Sequence, residues 1–149
     1  MTRGRKIALI VVIAILGVVG WIAYGFLHTL RGIPEAYAAW DTGTLLIEYM
    51  KQHNNQWPTS WDQLLTVLDS DEGRKIPLRG ASAGDISYAR SLREKVAVDW
   101  AFDPANPTGN PVAPIGGGKF SVVWKGAEPN EMVRYYLSER ASTRPSAAH

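Results

Sequence analysis

Catalysis in this 149-residue chain would have to draw on very few groups. Beyond residue 31 the histidines are His53 and the terminal His149. A nucleophile–His–carboxylate set could be assembled only around His53. His53 also closes a helical stretch, where an imidazolium favours the negative end of the helix dipole, and that structural role is the expectation. Any two of the 14 acids could form a general acid/base pair, so the acids single out no site. Asp99, Asp103, Asn106 and Asn110 place hard oxygen ligands on a Pro/Gly-rich loop, which would suit calcium. Their spacing fits no EF-hand, and Asp and Asn also make turns. The glycines of Ile115–Lys119, "IGGGK", lack the first glycine of a P-loop and the hydroxyl residue after its lysine. Arg90, Arg93 and Lys95 surround Glu94 and read as a solvated face. No catalytic, cofactor or metal residue is assigned, and calcium alone is kept as a low-ranked cofactor.

The bulk numbers narrow the classes further. There are 16 basic and 14 acidic residues, for a net charge of +2. Setting aside Arg3, Arg5 and Lys6 leaves 13 basic residues against 14 acids, a net of −1. The main region therefore has no basic excess, and nucleic acid is not an expected partner. Without cysteine there is neither a disulfide nor a thiolate metal site.

The elements that would carry any site follow from periodicity. Residues 34–53 are predicted helical, with Pro34 in the first turn and Glu35 at the positive end. Ala36, Trp40, Gly43, Ile47 and Met50 form one stripe at three- and four-residue steps. Asp41, Glu48 and Lys51 fall mostly away from it. Residues 69–84 read as a polar, mobile loop. Asp85 caps a short helix with Ile86, Ala89 and Leu92 on one side. Residues 95–103 alternate, with Val96, Val98, Trp100 and Phe102 facing the core, as in a half-buried strand. Residues 104–118 are a loop, "KFSVVWK" at 119–125 is a second strand, and Gly126 to Ser138 form a helix with Pro129 near its start.

The stretch "NNQWPTSWDQLL", 54–65, joins the first helix to the next. Asn54 and Asn55 suit the left-handed residue that ends a helix. Pro58 blocks continuation and biases Trp57 toward extended backbone. Ser60 and Gln63 fit a capping box. Trp57, Thr59 and Trp61 complete this structural joint, and both tryptophans are expected to be largely buried over one end of the core.

Ile7 to Leu27 contains no charge and as a helix would measure about 31 Å, against a hydrocarbon core of roughly 30 Å. Arg3, Arg5 and Lys6 precede it and would keep the N-terminus in the cytoplasm. The expectation is a signal-anchor at the bacterial inner membrane. It comprises a cytoplasmic tip (1–6), a transmembrane helix (7–30), an extracytoplasmic domain in the periplasm (31–140) and a flexible tail (141–149). Cleavage after Ala23-Tyr24-Gly25 by signal peptidase is the alternative.

Residues 45–68, "LLIEYMKQHNNQWPTSWDQLLTVL", resemble the major pseudopilins of type II secretion systems. In that family the first helix runs into an Asn-Gly-x-Tyr-Pro-Thr turn and then a leucine-rich helix. Here Asn54 and Asn55 stand at Asn-Gly, Gln56 at the variable position and Trp57 at the Tyr, while Pro58 and Thr59 match. Gly4 is followed by Arg5, and the fifth position of the apolar stretch is Leu9 rather than Glu. No prepilin processing is therefore expected. The resemblance implies a pilin-like α+β fold, in which a transmembrane helix runs into an amphipathic helix packed with short helices and a small antiparallel sheet. The implied role is that of a single-pass, non-enzymatic interaction or assembly protein, linked to a secretion or pilus-like system. Its expected partners are the lipid bilayer and another protein or further copies of itself. A membrane-anchored enzyme of unknown reaction, or a secreted domain, stays open beside it.

Overall fold

The structure, a computed structural model, describes the backbone of residues 3–143, with side chains over 12–25 and 32–142. Helix α1 runs Arg3–Gln52 and includes Pro34, whose missing N–H leaves one carbonyl of the ladder without its donor. The chain divides into two compact units, Met1–Ile33 and Pro34–His149.

In the first unit the described side chains from Val12 to Tyr24 are apolar and exposed; Leu16 is 65% and Trp21 77% accessible. The membrane expectation is corrected here: among the described residues, no helix is long and apolar enough to cross a membrane. The transmembrane helix, the single-pass signal-anchor, the periplasmic placement of the main domain and the inner-membrane location all fall with it. The orientation role of Arg3, Arg5 and Lys6 loses its premise, and their side chains lie outside the described residues. Of the expected tail, 141–143 are helical and 144–149 lie outside the description.

The second unit is α+β and is built around the end of α1. The predicted stripe is only part of the buried surface. Ala38, Ala39, Leu45, Leu46 and Tyr49 are also buried, because the short elements wrap the helix on several sides. Asp41, expected to point away, is fully buried, and so is Thr42, whose hydroxyl donates to the Ala38 carbonyl at 2.7 Å. Gly43 marks a close approach: an added methyl there would sit 3.1 Å from Pro129 Cα. Helix α2 (Trp61–Leu65) continues as a 3-10 turn through Leu68. Leu64, Leu65, Val67 and Leu68 are all core. Helix α3 (Ile86–Ser91) is capped by Asp85, whose carboxylate accepts from the Tyr88 N–H. Helix α4 (Pro129–Thr143) buries Val133 and Leu137 against the core.

The sheet differs from expectation. Strand β1 is Val96–Val98 and pairs antiparallel with β2, Val112–Pro114, with Ala97 opposite Ala113. The stretch 104–118, read as loop, thus supplies the second strand, and 119–125 joins no ladder. The predicted alternation of 95–103 is present in burial, with Val96 and Phe102 in the core and Ala97, Asp99 and Ala101 exposed. Residues 69–84 are anchored rather than loose: Ile76 and Leu78 are core, and a 3-10 turn spans Gly73–Lys75.

Candidate functional site

The residues that could do chemistry are occupied with structure. His53 Nδ1 lies 2.9 Å from the Tyr49 carbonyl, and its ring stacks on Tyr49 with centroids 3.9 Å apart. Asp99 and Asp103 each accept the N–H two residues on, from Ala101 and Ala105, so both close local turns. Asn110 Oδ1 accepts from the Arg134 guanidinium at 2.8 Å, and the same nitrogen reaches the Gly109 carbonyl. A cation of the protein's own thus lies on two oxygens of the loop considered for calcium. No group of three or more His, Cys, Asp or Glu among the described residues is placed to hold a metal ion.

The joint at 54–61 assembles from local rules. Asn54 and Asn55 both have left-handed backbone, with φ of 53° and 65°. The Asn55 N–H returns to the Met50 carbonyl at 2.8 Å, closing the helix end. Asn55 Oδ1 also accepts from the Tyr136 hydroxyl, which ties the turn to α4. Ser60 Oγ accepts the Gln63 N–H. The reciprocal half of the box is displaced by one residue: Gln63 Oε1 accepts from the Thr59 N–H and Thr59 hydroxyl, not from Ser60. Pro58 is buried. Trp57 is buried against Phe102, and its indole N–H donates to the Asp99 carbonyl at 2.8 Å. Trp61 is only half-buried and meets Trp100 edge-on, with centroids 5.6 Å apart. The two rings join different neighbours and do not form a shared binding face.

Sequence reading missed the strongest polar cluster. The buried Asp41 carboxylate accepts from the Arg79 N–H (2.7 Å), the Gly80 N–H (2.9 Å) and the Tyr88 hydroxyl (2.8 Å). Burial, then the Asp41 hydrogen bond, then the Asp41 charge hold the Tyr88 phenol protonated well above its ordinary range. The Arg79 guanidinium lies over the Trp40 ring, 4.8 Å from its centroid. These contacts clamp 79–80 and α3 to α1. The available signal was Asp41 itself, an acid next to Trp40 in a turn with no other charge. With every acceptor oxygen used, the cluster is a fastening.

Three features can face a partner. The first is the exposed apolar surface of α1 from Val12 to Tyr24. The second is a cavity of about 290 Å³ where β2, residues 118–123 and the first turns of α4 meet. Asn130 stands beside it: its side chain accepts from the Val112 N–H and donates to the Val112 carbonyl, at 2.8 and 2.9 Å, taking the place of a strand partner on that edge of β2. The third is the segment 119–125, whose side chains alternate between exposed and half-buried without a neighbouring strand. No protein-family model, no curated protein and no solved structure matches the chain.

Proposed function

We propose that this chain is a non-enzymatic interaction or assembly protein. The observation that carries the reading is the α1 surface. The exposed apolar side chains Val12, Ile13, Ile15, Leu16, Val18, Val19, Trp21, Ile22 and Tyr24 advance by about 100° per residue and occupy every quadrant of the helix. An apolar surface of that extent marks an association site. Because it has no polar side, one neighbour would cover only part of it, so the reading favours several protein neighbours, either copies of this chain or a partner. The resemblance of 45–68 to major pseudopilins supports the same role and points to a secretion or pilus-like system.

Photo-crosslinking residues placed separately at Leu16 and Trp21, well apart around α1, test the proposal in intact cells. Protein adducts are expected from both positions. Recovery of uncrosslinked monomer alone from both would overturn it.

A further inference from the structure

The cavity of about 290 Å³ beside β2 is lined by four charged side chains, two of each sign: Lys119 and Arg134, Glu128 and Glu131. Among the described residues, none of the four takes part in an ion pair. Glu131 and Arg134 stand three residues apart on α4, a spacing at which opposite charges commonly meet. Here Arg134 is drawn the other way. Its Nη1 donates to the Gly109 carbonyl at 3.2 Å and to Asn110 Oδ1 at 2.8 Å. The Glu131 carboxylate is left without a partner among the described residues, and so is the Lys119 ammonium.

The two inner charges are fixed by neutral partners. Glu128 Oε1 accepts from Asn130 Nδ2 at 2.7 Å, and its Oε2 accepts from the Glu131 N–H at 2.6 Å. Glu128 and Arg134 are both half-buried. Neutral hydrogen bonds aim a charged group without cancelling its charge, and burial makes an uncompensated charge costly. Each group also keeps bonding capacity. Arg134 uses one terminal nitrogen of its guanidinium, and each Glu128 oxygen uses one of its two acceptor sites. On the exposed rim, Lys119 repeats the cation and Glu131 the anion. Between the charges the wall is apolar, from Val112, Phe120 and Val123. A simple anion would face both carboxylates, and a simple cation both cations, so neither is favoured. The volume lies at the lower end of the roughly 300–1,000 Å³ of ligand pockets, which suits a small guest.

We infer that this cavity binds a small zwitterion, with an ammonium and a carboxylate on an apolar body, as in a free amino acid or a short peptide with aliphatic side chains. The carboxylate is met by Arg134 and Lys119, the ammonium by Glu128 and Glu131. This goes beyond the interaction reading and rests on the second unit alone, so either can fail without the other.

The test uses the purified full chain and four probes. L-leucine and the dipeptide leucyl-leucine are zwitterions; N-acetyl-leucine lacks the ammonium and leucine amide lacks the carboxylate. Calorimetric titration reads the affinity, and the amide chemical shifts of Val112 and Phe120 locate the binding. At least one zwitterion should bind with a Kd of about 1 mM or below, and both blocked forms about tenfold more weakly. Tighter binding of leucine assigns the site to a free amino acid, and tighter binding of the dipeptide assigns it to a short peptide. Lys119→Ala and Glu131→Gln should each weaken the better zwitterion about threefold. Both side chains are exposed, so the fold should be kept. The inference is overturned if neither zwitterion moves the Val112 and Phe120 amides at about 10 mM, or if the blocked forms bind as tightly as the zwitterions. Unchanged affinity in both variants would also overturn it.

Discussion

Removing the Asp41 carboxylate should be among the most damaging single changes to the second unit. Three donors converge on it, from Arg79, Gly80 and Tyr88. A hydrogen bond to a charged acceptor contributes about 1.5–3 kcal/mol. The Arg79 and Gly80 residues are exposed, so their N–H groups regain water once the acceptor is gone, whereas the half-buried Tyr88 hydroxyl is compensated less. Asp41→Ala should therefore cost about 3–5 kcal/mol, below the simple total for three bonds. Tyr88→Phe, which removes one of them, should cost about 1.5 kcal/mol. Urea unfolding would read the first as a midpoint shift of about 2 M with the slope unchanged. In a double-mutant cycle the two changes should couple by about 1 kcal/mol or more. Alkaline pH gives an independent readout. The Tyr88 phenol is raised in the folded state, so its contribution is complete below about pH 10, where the unfolded phenol titrates. It is lost as pH rises further and the unfolded chain sheds that proton, at no more than about 1.4 kcal/mol per pH unit and less after solvent screening. Tyr88→Phe should flatten that part of the curve. An Asp41→Ala midpoint within experimental error of the unaltered chain would refute the clamp, as would an alkaline slope in Tyr88→Phe equal to that of the unaltered chain.

Other consequences follow from single contacts. Asn54→Gly should leave stability within a few tenths of a kcal/mol, while Asn54→Val should cost more than about 1 kcal/mol, because only the first accepts a φ of 53° without strain; thermal melts would separate them. Trp57→Ala should cost about 3–5 kcal/mol and expose Phe102, and tryptophan emission should lose its most blue-shifted component. Asn130→Ala should cost about 2–3 kcal/mol and speed amide exchange at Val112, since it strips both bonds from a buried strand edge.

Local signals carried the fold where the deciding atoms lie within a turn of one another. Ser60 and Asp85 cap their helices through the N–H three residues on, and both could be read directly. Asn54 and Asn55 take the left-handed backbone that their side chains tolerate. The alternation around Val96 and Phe102 also survived, because burial side follows from the two-residue period of extended chain.

Contacts between distant residues decided the rest. The same alternation at 119–125 did not make a ladder, since pairing depends on which segment arrives alongside, and Val112–Pro114 arrives first after the turn from β1. Asp41 sits in a helix whose stripe pointed elsewhere; its burial comes from a loop 38 residues away that supplies two N–H donors. The stretch from Ile7 to Leu27 suggested a membrane crossing on composition alone, a reading the described helices do not sustain. Sequence alone therefore determined the caps, the turn at 54–60 and which residues favour extended or helical backbone, because those choices are settled by neighbours along the chain. The tertiary structure decided which strand edge is filled and which acid is buried, because each depends on groups that only folding brings together.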